Sequence, residues 1–229
     1  MKTMKHDMAG SSAALGTLLA LIQSNYSRPV ECWLAIVENN VDRLSFRPDD
    51  VVSAVTGDTI EVVHSDAEGR MLLADVLALA TRKADVPSVT SFTADYPALV
   101  LDFATLTGTC ISSLSNRYIG AFTNRQEYNA KLMSVGDECG ERVWPFPLDD
   151  DFEEDLLSDV ADVLQCRQNT EADHIYASIF LKRFVQPTVP WIHLDLGSAH
   201  RPGGLGHVPS DFTGSGVKLA TSIIKSLLS

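Results

Sequence analysis

The stretch Thr59-Ile60-Glu61-Val62-Val63-His64-Ser65-Asp66-Ala67-Glu68-Gly69-Arg70, followed by the run Met71–Lys83, decides the fold class of this 229-residue chain. Thr59–Val63 alternates as a half-buried strand does, just after the turn residues Thr56-Gly57-Asp58. Met71–Lys83 then carries apolar side chains at helical spacing. Working outward, the same succession recurs. Val30–Val37 (VECWLAIV), Ala98–Phe103 (ALVLDF) and Trp191–Leu196 (WIHLDL) read as buried strands. Ala13–Ile22, in a helix starting near Asp7, and Tyr128–Gly136, Ile175–Phe184 and Val217–Leu228 read as helices. Strands separated by helices predict an α/β fold, with a mixed or largely parallel sheet covered on both faces. Asn39–Asp50, Ala84–Tyr96 and the Gly- and Pro-rich His200–Phe212 read as loops, and long loops inside a folded domain are often functional.

Composition narrows the function. The chain is 45% hydrophobic and 21% charged, as ordinary globular proteins are. A net charge of −12 repels phosphate backbones and argues against nucleic acid as the main partner. The four cysteines, Cys32, Cys110, Cys139 and Cys166, form no C-x-x-C pair and read as small buried thiols of a cytoplasmic protein. Met1–Met8 lacks the apolar core of a secretory signal, and no apolar run approaches the roughly 18 residues of a membrane span.

Chemistry concentrates in three places. In extended backbone Asp66, Glu68 and Arg70 point the same way, placing two carboxylates and a guanidinium at a strand end, where α/β sheets gather ligands. That set suits a metal site with a charge-stabilising arm. The alternative is a surface ion-pair cluster around Gly69. Asp7, ahead of an apolar helix, is either a ligand or a helix-capping acid, and neighbouring His6 is either a further ligand or a surface side chain. Asp102-Phe103-Ala104-Thr105-Leu106-Thr107-Gly108 joins a strand end to a helix start. Its backbone groups could hold a peptide main chain, or the threonines could simply cap the helix. No G-x-S-x-G, P-loop, H-E-x-x-H or G-x-G-x-x-G motif occurs.

In this order the segments resemble the leucyl (cytosol) aminopeptidase family. Asp66-Ala67-Glu68-Gly69-Arg70 copies the family's N-T-D-A-E-G-R signature, with His64-Ser65 in place of Asn-Thr. Ala104-Thr105-Leu106-Thr107-Gly108 matches A-T-L-T-G in full, and Met4-Lys5-x-Asp7-Met8-x-Gly10 resembles the helix-opening motif. The resemblance covers nearly the whole chain. It implies an α/β/α sandwich around a mixed sheet, assembled as a homohexamer, that removes leucine-like N-terminal residues from peptides with two zinc or manganese ions. By motif, Asp7 and Asp66 would each bind one ion and Glu68 both. Arg70 would hold a bicarbonate acting as general base, and Thr105, Leu106 and Gly108 would hold substrate. Two such ions a few ångströms apart lower the pKa of a shared water toward neutrality.

Three departures set further expectations. The family's lysine ligand, its bridging aspartate in D-S-G-G and its catalytic lysine all precede the segment matching Asp7, and no such motif occurs in residues 1–229. The family's separate N-terminal domain is absent too. His64, in place of an Asn beside the metal ligands, would either tune the site from a second layer or add a ligand. The chain therefore reads as a single, N-terminally truncated metallopeptidase catalytic domain holding about half of the metal-site residues. The alternative is a non-catalytic relative that forms oligomers or binds DNA.

Overall fold

A computed structural model describes residues 4–86 and 95–228 of the chain. In chain order the elements are helix α1 (Ala9–Gln23), strands β1 (Val51–Ser53) and β2 (Thr59–Glu61), helix α2 (Glu68–Ala80), strand β3 (Val100–Ala104), helix α3 (Gly108–Leu114), strand β4 (Ile119–Thr123), helix α4 (Asn129–Cys139), strands β5 (Val143–Pro145) and β6 (Val163–Leu164), helix α5 (Asp173–Phe184), strand β7 (Trp191–Asp195) and helix α6 (Val217–Leu228). Met4–Met8 forms a 3-10 turn ahead of α1. The chain folds as two compact units: residues 1–32, 98–147 and 190–229 make the first, and residues 33–97 and 148–189 the second.

The first unit holds a four-stranded sheet in the order β3-β7-β4-β5. β3 runs parallel to β7 and β4 parallel to β5, while β4 and β7 are antiparallel, so the sheet is mixed and largely parallel. Alternation along the strands splits its side chains into two sets. Leu101 and Phe103, Ile192 and Leu194, and Ile119 and Ala121 pack with Ala13 of α1, Leu132 and Val135 of α4, and Leu219 and Ile223 of α6 in one apolar core. The other face carries Asp102, His193 and Phe122 in register. There α3 comes so close that a Cβ on Gly120 would stand 2.6 Å from Cys110 Sγ. Helices thus cover both faces, as the α/β/α expectation requires.

The second unit holds the sheet β1-β2-β6, antiparallel then parallel, and α2 packs against α5. Ala74, Leu77 and Ala78 of α2 and Ile179, Phe180 and Phe184 of α5 are buried.

Two expectations change. Val30–Val37 forms no strand: Ile36 and Val37 stand 76% and 57% exposed. Its β-rich composition meets the side-chain preference of a strand, but a strand also needs a ladder. The second change concerns Asp66, Glu68 and Arg70, whose shared face assumed extended backbone. α2 starts at Glu68, so Glu68 and Arg70 lie on a helix and project in different directions. Most of Ala84–Tyr96 lies outside the described residues.

Candidate metal and substrate site

In the first unit the Asp7 region and the A-T-L-T-G loop meet. Gly10 makes this possible: a Cβ there would lie 2.1 Å from the Phe103 carbonyl oxygen, so only glycine lets α1 come this close to β3. The approach sets the 3-10 turn against the end of β3, where Thr105 Oγ1 lies 3.0 Å from Asp7 Oδ1 and 3.1 Å from the Asp7 carbonyl oxygen. Asp7 is exposed, so its carboxylate keeps acceptor capacity beyond this contact. The loop is held from below by Asp195, the last residue of β7. Asp195 is 1% exposed. Its Oδ1 accepts from Leu106 N at 3.1 Å and its Oδ2 from Thr107 Oγ1 at 2.7 Å. Thr107 in turn caps α3 by accepting from Cys110 N at 3.3 Å. Gly108 faces open space, with nothing within 4 Å of where a Cβ would stand. Burial pushes the Asp195 carboxyl up, against the pull of His193 and of the loop's donors.

Behind Asp195 lies a buried polar row. Asp102 Oδ1 is 2.6 Å from His193 Nδ1, and Asp102 Oδ2 accepts from Trp191 Nε1 at 2.6 Å. His193 Nε2 is buried without a partner. Burial alone would lower the His193 pKa, but the Asp102 charge and hydrogen bond outweigh it and the net direction is upward.

The second unit holds the signature segment. Gln165, fully buried beside β6, clamps it: Oε1 accepts from Val63 N and His64 N, each at 3.0 Å, and Nε2 donates to Ala67 O at 3.1 Å. Asp66 N donates to His64 Nδ1 at 3.1 Å, which leaves Nε2 as the open nitrogen of that exposed ring. Asp66 is exposed and Glu68 half-buried. Arg70 is 2% exposed, and its Nη2 donates to Asp173 Oδ2 at 2.7 Å. Nη1 reaches Gln165 O at 3.3 Å, while Nε is buried with no partner.

Sequence reading missed Gln165, Asp173 and the structural part of Asp195. For Gln165 and Asp195 the available signal was a polar side chain inside or just after an apolar run, since buried polar groups must be bonded; Asp173 follows the polar stretch Arg167–Ala172 and carried no such signal. Carboxylates suit zinc or manganese by type. Among the described residues, however, no three His, Cys, Asp or Glu side chains group closely enough to hold an ion. The described donors alone therefore do not complete a metal site.

The fold is an α/β chain with mixed sheets whose exposed carboxylates and Thr-rich loop lie at strand ends. Residues 1–221 match the model of the cytosol aminopeptidase family, catalytic domain, and the chain belongs to that family. The probable cytosol aminopeptidase of Rickettsia bellii (strain OSU 85-389) is 36% identical over 229 residues, covering 98% of this chain and 43% of the relative. That of Protochlamydia amoebophila (strain UWE25) is 35% identical, covering 99% and 43%. Among solved structures, a mutant of tomato leucine aminopeptidase aligns with a TM-score of 0.79 at 31% identity, over 97% of this chain and 41% of that one. The bottromycin maturation enzyme BotP in complex with Mn aligns with a TM-score of 0.82 at 31% identity, over 97% and 47%. The chain thus spans less than half the length of these relatives.

Proposed function

We propose that residues 1–229 are the metal- and substrate-binding part of a metal-dependent aminopeptidase that removes leucine-like N-terminal residues from peptides. The observation that carries this reading is the tie between Asp7 and Thr105 at the end of β3, beneath a loop shaped by Asp195. Two motifs 98 residues apart in sequence meet there, which supports reading them as parts of one site. Family membership supplies the reaction class.

In this reading Asp7, Asp66 and Glu68 bind divalent zinc or manganese, and BotP, in complex with Mn, supports that choice of ion. Thr105, Leu106 and Gly108 hold the substrate main chain, with the open space at Gly108 leaving room for it. Arg70 holds the bicarbonate. His64 acts on the metal site through the Asp66 backbone. Residues 1–229 act as a single metallopeptidase catalytic domain, and the homohexamer and cytoplasmic location follow the family. No helix of the described residues is long and apolar enough to cross a membrane.

The test is hydrolysis of a leucine anilide by the full-length protein loaded with zinc or manganese, with and without chelator. Turnover abolished by chelator, and reduced about a hundredfold or more in Glu68→Gln, is the expected result. Chelator-insensitive turnover contradicts it. A second reading, a non-catalytic oligomer-forming relative, draws on the absence of any three-donor group among the described residues. Elemental analysis of residues 1–229 separates the two, because stoichiometric metal with turnover excludes the second.

A further inference from the structure

The first unit contains a cavity of about 540 Å³ that the aminopeptidase reading does not use. Its wall carries Arg117, Arg142, Arg201 and Lys218, with His207 beside them and Glu141 as the single carboxylate. In a chain of net charge −12 this is a concentration of four permanent cations against one anion. None of the four takes part in an ion pair among the described residues. Arg142 lies over the Tyr118 ring, 5.6 Å from its centroid. The Glu141 carboxylate is already engaged, since its Oε2 accepts from Gly216 N at 3.1 Å and Leu219 N at 2.8 Å, at the start of α6.

The wall is also fixed in shape. Gly204 has φ +84°, and a Cβ there would lie 2.0 Å from Val208 O, so glycine is required. The turn it makes is closed by Leu205 N to Val208 O at 3.0 Å and Val208 N to Leu205 O at 3.1 Å. Arg201 N donates to Asp211 O at 2.8 Å. These bonds hold Arg201 and His207 at the rim before any ligand arrives, and such preorganisation favours binding.

We propose that this cavity binds a small oxyanion carrying two or more negative charges, of the phosphate or polycarboxylate kind. Guanidinium groups present paired N–H donors that match such oxygens. A cluster of four cations against one carboxylate in a concave wall raises the local concentration of anions, and the volume is that of a small-molecule site. The test is calorimetric titration of the chain with pyrophosphate and, separately, with citrate, at ionic strength held constant with sodium chloride. One anion per chain is expected, weakened about tenfold or more in Arg201→Glu and in Lys218→Gln, and unchanged in Lys131→Glu, whose exposed side chain on α4 lies outside the wall. Binding of pyrophosphate alone assigns the phosphate kind, and of citrate alone the polycarboxylate kind. Lys218 is exposed, so Lys218→Gln carries the test if Arg201→Glu does not fold. Failure of both anions to bind at millimolar concentration overturns the proposal, as does an equal loss in Lys131→Glu.

Discussion

At the scale of single residues, the decisive feature is the polar row buried on a sheet face that otherwise carries rings. His193 is fully buried, bonded to Asp102 through Nδ1, with Trp191 donating to the other Asp102 oxygen. Phe122 lies 5.8 Å from it, centroid to centroid, and Asp195 adds a further negative charge. These charges hold its folded pKa above the ordinary value of 6.5. The folded state therefore keeps a proton that the unfolded chain gives up, in the window starting at pH 6.5. This contribution to stability is complete below 6.5 and lost as pH rises through the folded pKa. Urea unfolding between pH 6 and 9 should show stability falling with rising pH, with a smaller slope in His193→Gln. An identical slope in the variant would remove His193 as the cause.

Elements explain how those residues are placed, and two helix ends show it best. α1 approaches β3 only because position 10 lacks a side chain. Gly10→Ala drives a Cβ into the Phe103 carbonyl, a backbone atom that cannot rotate away. It should cost about 1–3 kcal/mol, as overpacking does, seen as a lower urea midpoint with an unchanged slope. At the start of α6, Glu141 Oε2 takes two backbone N–H groups that the helix cannot satisfy itself. Burial pushes the Glu141 carboxyl above its ordinary value of 4.5, so its contribution to stability declines as pH rises from 4.5 through the folded pKa. Glu141→Gln keeps an acceptor oxygen without the charge and should be neutral or better at pH 7. Glu141→Ala should lose about 1–2 kcal/mol by the same unfolding measurement. Much of this level was legible in the sequence. Apolar runs located β3 and β7, and TIEVV followed by a helix located the signature segment. What escaped were pairings. Val30–Val37 has the side chains of a strand, and β1, β5 and β6 are only two or three residues long. Whether such a piece joins a ladder depends on a partner distant in sequence, which its own composition does not encode. The site shows the same division: motifs named Asp7 and Thr105 separately, and only the Gly10 contact explains why they touch.

For the whole molecule, the order of segments matters more than any one of them. The first unit takes up the chain in three pieces and the second in two, so neither closes until distant stretches meet. Trp191 and Asp102, joined on the first unit's sheet, are 89 residues apart in sequence. Thr59 and Asp162, joined beside the second unit's sheet, are 103 apart. Loop closure over such spans comes before the contacts that reward it, and domains dominated by non-local strand pairing fold in about milliseconds to seconds. The helices contribute local contacts, yet α1 completes its core only against β3 and α6 from later in the chain. Trp191, with 0% exposure, reports on closure of the first unit. In a Trp33→Phe, Trp144→Phe background, stopped-flow dilution from urea should therefore show the Trp191 signal developing over milliseconds or longer. Asp102→Asn, which weakens the partner of both Trp191 and His193, should lower the final stability more than it slows this phase, because the contact forms only once β3 and β7 have paired. A single submillisecond phase would mean that the first unit closes through local contacts, against the topology described here.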